Sequence, residues 1–163
     1  MVKFEIADKD KIKLLASIAD EIWHEYWPFL LSKEQIDYMV EIFQSEAAIK
    51  KQIDFENYNY YFIKNDDETA GYFGISFKED YLFLSKLYIK KDYRHKGIGK
   101  EAFLKIIDIA KEKKYKKIRL TVNKNNKNTI NAYLKYGLKI AYEDITDIGH
   151  GFVMDDYIMD YAL

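Results

Sequence analysis

The stretch KLYIKKDYRHKGIGKEAF, residues 86–103, decides how the rest of the chain is read. An apolar strand end, LYI at 87–89, runs into a short basic loop that carries Arg94, Gly97 and Gly99, and a helix begins inside that loop. Glycine lets backbone approach a ligand with no Cβ in the way. The first turn of a helix offers N–H groups without intrahelical partners, and its dipole favours negative charge. Arg94, Lys96 and Lys100 add mobile positive charge. Strand, basic glycine loop and helix in this order point to an anionic, phosphate-bearing ligand.

Two other phosphate loops fail on single residues. A Walker A loop needs GxxxxGK followed by Ser or Thr, and here Glu101 follows Gly99-Lys100 while Arg94 stands at the opening glycine. A dinucleotide loop needs GxGxxG, and Ala102 stands at the third glycine.

Working outward, VKFEIA at 2–7 alternates and predicts a first strand. Residues 11–23 carry Ile12, Leu15, Ile18, Ala19 and Ile22 at helical spacing, and the aromatic segment WHEYWPFL, 23–30, follows. Ser32 and Gln35 stand at capping-box spacing and start a second helix, with a short helix predicted over 45–52. Strands are predicted at 58–64, 69–77 and 81–90, a long helix at 97–113, a strand at 116–122, a helix at 127–136 stopped by Gly137, and last strands at 138–145 and 152–163. This order predicts one α/β (α+β) domain over residues 1–163, a mixed seven-stranded twisted sheet with helices on both faces.

Composition narrows the function. The formal net charge of -1 argues against a nucleic-acid-binding domain. With no cysteine, disulfides and thiolate nucleophiles are excluded. His24-Glu25 opens like HExxH, but position 28 is Pro, and no metal site is expected. No apolar run approaches membrane-spanning length and the N-terminus has no apolar signal region, so a cytoplasmic location is expected. The basic run KEKKYKKIR, 111–119, reads as the solvated end of a helix.

On these residues the chain resembles the GNAT superfamily of N-acetyltransferases. Their acetyl-coenzyme A motif, a strand then Arg/Gln-x-x-Gly-x-Gly/Ala then a long helix, is matched by Leu87–Ile89 and by Arg94-His95-Lys96-Gly97-Ile98-Gly99. Their second motif, Asn-x-x-Ala-x-x-x-Tyr-x-x-x-Gly-Phe, is matched by Asn126, Tyr133 and Gly137, with Thr129 and Leu138 as departures. LSKEQIDYM at 31–39, FLSKLYI at 83–89 and MDDYIM at 154–159 look like the PaiA-type spermidine/spermine branch. The resemblance implies that backbone around His95, Lys96, Gly97, Ile98, Gly99 and Lys100 holds the pyrophosphate. It implies that the edge of the strand at Leu87, Tyr88 and Ile89 pairs with the pantetheine arm.

It also implies a constellation for acetyl transfer. Tyr133 is the acid for the leaving thiolate, a sensible role for a group protonated at neutral pH. A backbone N–H near Leu87 or Tyr88 serves the oxyanion, and Asn123 and Asn126 contact ligand or water. For the general base, His24, Glu25 and Asp80 are candidates. Trp23, Tyr26 and Trp27 around Glu25 read as an acceptor wall suited to a cationic amine, with Glu21, Asp37 and Glu41 as further carboxylates. The expected activity is acetyl-CoA-dependent acetylation of a small polyamine. The alternatives are a peptide N-acetyltransferase and a non-catalytic acyl-CoA sensor. A homodimer is a further expectation of the resemblance.

Overall fold

In the computed structural model, which describes residues 1–163, seven strands form one sheet in the order β1-β2-β3-β4-β5-β7-β6. In chain order the elements are β1 (Val2–Ile6), α1 (Ile12–Tyr26), α2 (Lys33–Gln44), α3 (Glu46–Phe55), β2 (Tyr58–Asn65), β3 (Glu68–Phe77), β4 (Leu82–Ile89), α4 (Ile98–Glu112), β5 (Lys117–Asn123), α5 (Lys127–Tyr136), β6 (Lys139–Gly149) and β7 (Phe152–Ala162). Every neighbouring pair is antiparallel except β4 and β5, which run parallel, so the sheet is mixed as expected.

Alternation along the strands divides the apolar residues between two cores. On one face Tyr60, Phe62 and Tyr72 pack under α1, α2 and α3 through Leu15, Ile22, Trp23, Ile36 and Ile49. On the other, Phe73, Ile75, Leu84, Leu120 and Val122 pack under α4 and α5 through Phe103, Ile106, Ala110 and Ile130. Two of the 15 tyrosines of the chain, Tyr60 and Tyr72, are buried in the first core. The Tyr72 hydroxyl donates to Gln44 Oε1 at 2.6 Å and accepts from Trp23 Nε1 at 2.8 Å, while the Tyr60 hydroxyl donates to Gln52 Oε1. These bonds satisfy the polar atoms that α1, α2 and α3 bury, and they fix the end of α1 over the sheet.

Two boundaries differ from the sequence reading. The first helix continues past residue 23 to Tyr26, and Pro28 sits inside a single 3₁₀ turn, Trp27–Phe29, which it tolerates because no N–H is needed there. The strand expected at 138–145 runs on to Gly149 in a hairpin with β7. Ser32 caps α2 as its spacing predicts, accepting from the Gln35 amide at 3.1 Å.

His24 does not line the main cleft. Its Nε2 meets Asp37 Oδ1 and its Nδ1 lies 2.9 Å from the Asp20 carbonyl, which ties α1 to α2. The Asp37 contact, partly opposed by desolvation, raises the His24 pKa above its ordinary value. A raised pKa stabilises the fold below the unfolded value, and that increment is lost as pH rises through the folded one. Thermal midpoints should therefore fall as pH rises from 6 to 8, and Asp37→Asn should flatten that slope; an unchanged slope in the variant would refute the linkage.

Candidate active site

The parallel pairing of β4 and β5 covers only Leu82–Leu84 against Ile118–Leu120. Beyond those residues the two strands part, and the rest of β4 has a partner only in β3. The Lys90 amide donates to the Ala70 carbonyl at 2.7 Å. Antiparallel ladders alternate, so the bonds of Tyr88 and Lys86 also face β3, and the N–H and C=O groups of Leu87 and Ile89 face the gap. Ile89 O accepts there from Arg94 Nε at 2.8 Å. The Leu87 amide is left pointing into the opening.

At the mouth of the gap, β4 gives way to α4. The first helical bond of α4 runs from the Glu101 amide to the Gly97 carbonyl, and no backbone amide from His95 to Lys100 donates a hydrogen bond within the chain. His95 and Gly97 take left-handed backbone, at φ 63° and φ 80°. Such turns gather successive amides into an anion-binding concavity. A Cβ built on Gly97 would meet nothing within 4 Å, so glycine is needed here for its conformation and not for room.

On the far wall α5 carries Tyr133, Asn126 and Thr129. Tyr133 is 9% exposed, packs against Phe103 and Tyr136, and burial pushes its hydroxyl pKa up. Gly137 ends the helix at φ 104°, with the Leu138 amide returning to the Tyr133 carbonyl at 3.0 Å. Asn126 holds the N-cap position but does not cap with its side chain. Its Nδ2 donates instead to the Tyr26 hydroxyl at 2.8 Å, and that hydroxyl also lies 2.9 Å from Thr129 Oγ1. Thr129 thus has a partner that alanine would lack. Asn123 accepts from the Asn125 amide at 2.8 Å and shapes the turn into α5.

The residue before Tyr26 differs from its expected place. Glu25 faces the basic loop, its Oε1 2.7 Å from Arg94 Nη2, and does not line the cleft with the aromatic residues around it. The Arg94 guanidinium also stacks over the Tyr26 ring, 5.1 Å from its centroid. The last turn of α1 therefore holds both the basic loop, through Glu25, and α5, through Tyr26. The remaining acids proposed on α1 and α2 do not line the cleft either, and Asp80 is exposed in the turn before β4.

The gap beside β4, the turn into α4 and the α5 wall open onto one cleft of about 1010 Å³. The sequence profile of the acetyltransferase (GNAT) family matches residues 19–138. The chain belongs to the GNAT family. A spermidine N(1)-acetyltransferase of Thermoplasma acidophilum is 26% identical over 150 residues, covering 90% of this chain and 91% of that protein. The crystal structure of a PaiA N-acetyltransferase from the same species, in complex with coenzyme A, shares the fold at a TM-score of 0.80 and 23% identity, over 100% of this chain and 99% of that one. A GNAT structure from Rhodopseudomonas palustris has the same TM-score of 0.80 at 14% identity, over 99% of this chain and 95% of that one.

Trp23, Tyr26 and Trp27, the aromatics expected at the acceptor side, line this GNAT cleft. Trp23, Tyr26 and Trp27 cluster around Tyr88, with ring centroids 5.5, 5.8 and 6.4 Å away. Trp27 Nε1 is buried and makes no hydrogen bond. The GNAT cleft also holds three charged groups the sequence reading missed. Asp144 and Asp156 face each other across β6 and β7, and Lys86 lies on β4 beneath the Phe43 ring. Burial pushes the Lys86 ammonium down to about 8.

Proposed function

We propose that this protein transfers the acetyl group of acetyl-CoA to a primary amine of a small polyamine such as spermidine or spermine, by direct attack in a ternary complex. The observation that carries the donor half is the run of six unpartnered amides, His95–Lys100, beside the unpaired edge of β4. Those amides, with the Arg94, Lys96 and Lys100 charges, fit a pyrophosphate, and the Leu87 and Ile89 backbone fits an amide-bearing pantetheine arm. Acetyl-CoA supplies an acetyl thioester. The Leu87 N–H stabilises the oxyanion that develops on it, and the Tyr133 hydroxyl protonates the departing sulfur. Tyr26 keeps Asn126 turned toward the cleft. With no cysteine in the chain, no thiol can carry the acetyl group between substrates, and catalysis comes chiefly from holding amine and thioester together.

The acceptor half rests on the aromatic wall, on Asp144 and Asp156, and on near full-length similarity to a spermidine acetyltransferase. Aromatic faces and carboxylates suit an aliphatic ammonium. Lys86 supports a second reading, in which the acceptor carries an anionic group as well as its amine, as a peptide N-terminus with a nearby carboxylate does. A coenzyme A release assay over polyamines, amino acids and peptides separates the two. Spermidine and spermine as the best acceptors support the first. Peptides reacting while polyamines stay unmodified would establish the second.

A further inference from the structure

Asp156 is the one carboxylate buried in the wall of the cleft. It is 7% exposed, yet its side chain accepts no hydrogen bond and forms no ion pair. On β7 it pairs in register with Asn123 of β5 and Asp144 of β6, so the three side chains share the face that carries the aromatic wall. It sits near enough to the Tyr88 hydroxyl for its charge to help raise that group's pKa. Tyr88 adjoins Leu87, whose amide points into the gap. Leaving a charge buried and unpaired is costly unless a ligand completes it.

We propose that Asp156 is the catalytic base: it receives the ammonium of the acceptor amine and takes the proton that must leave before attack. This assignment rests on the N-acetyltransferase reading above and holds for either class of acceptor. One N–H proton passes to the Asp156 carboxylate and on to solvent through the cleft. The freed nitrogen lone pair forms the C–N bond to the thioester carbonyl carbon. The C–S bond breaks with its electron pair on sulfur, which takes a proton from Tyr133. The second proton lost by nitrogen restores the Tyr133 hydroxyl, so one proton is released per turnover.

The surroundings of Asp156 set its titration. Burial first, then the charges of Asp155 and Asp144, opposed by Lys124, push it up to about 6. The ionisable cleft groups on the packed elements include Tyr88 and Lys86 from β4, Tyr26 from α1 and Tyr133 from α5, while α2 contributes the uncharged Gln35 and Met39. A base must be ionised, so kcat/KM of the wild type should climb with pH and level off above about pH 6.

The test pairs that profile with Asp156→Asn, using the best amine of the panel. The variant should bind acetyl-CoA as tightly as the wild type and lose about 10²- to 10⁴-fold in kcat/KM. Its profile should lose the limb near pH 6 and rise instead toward the pKa of the free amine. Two results overturn the role of Asp156 alone: a wild type that acetylates amines with no limb between pH 5 and 7, or an Asn variant that keeps both rate and limb. The first needs no variant, so it decides the matter even if the substitution does not fold. A wild type that acetylates no amine at all would refute the N-acetyltransferase reading, and this assignment with it.

Discussion

Tyr133→Phe should leave a folded protein with unchanged affinity for acetyl-CoA and a kcat lower by about 10²- to 10⁴-fold. The hydroxyl is the only group removed. Its ring packing against Phe103 and Tyr136 survives in phenylalanine, so loss of structure would not explain loss of rate. The hydroxyl must be protonated to serve the leaving sulfur. Burial raises its pKa above the ordinary tyrosine value, which moves the loss of the acid form to higher pH. No alkaline decline from Tyr133 is therefore expected below about pH 10. Stopped-flow measurement of the chemical step, with acetyl-CoA affinity measured in parallel, checks both statements. A variant with wild-type turnover in the chemical step removes Tyr133 from the mechanism.

Gly71→Ala should destabilise the fold by about 3 kcal/mol or more, although it adds one methyl group. A Cβ on Gly71 would stand 2.1 Å from the Tyr88 carbonyl oxygen and 3.0 Å from Ile89 Cα. Both are backbone atoms, which no rotamer change can move aside. Relief requires shifting β4 away from β3, and β4 carries the Leu87 amide. The same substitution should therefore lower turnover in whatever fraction remains folded. Gly99→Ala is the natural contrast. Its Cβ would meet only the Tyr136 hydroxyl at 3.8 Å and an Ile89 side-chain carbon at 4.0 Å, so stability should hold or improve by up to about 1 kcal/mol. Urea denaturation of the two variants tests the pair. Equal midpoints would refute the steric argument.

The parts of this molecule that sequence makes legible are local ones. Three-to-four spacing in α1, α2 and α4 and alternation in β2, β3 and β7 place every element, because each signal lies within a dozen residues of itself. The donor loop is equally local: strand end, Arg94, Gly97 and helix start are contiguous. The acceptor side is not. Whether Asp144 or Asp156 faces the cleft depends on the β6–β7 register, which shifts at Ile140/Tyr142 and again at Asp147/Gly149. A shift of one residue turns each side chain to the other face. The alternation of Asp156, Ile158 and Asp160 on β7 was the one usable clue, since Asp160 shares its face with Arg119. Glu25 was misplaced for a related reason. The helical spacing is legible only to residue 23, but α1 continues to Tyr26, and that extra turn swings Glu25 toward Arg94.

The parting of β4 from β5 has a mechanical consequence. Three residue pairs form the whole ladder between the β1–β4 half of the sheet and the β5–β7 half. The seam is also where the Leu87 amide lacks a partner, so in the free protein that amide should exchange with solvent faster than its neighbours paired to β3. In the proposed function a donor lies along β4, where it would stand in for a missing strand and sew the halves together. Such binding would stabilise the folded sheet by mass action, so the unfolding midpoint should rise with acetyl-CoA concentration and the two halves should unfold as one more cooperative unit.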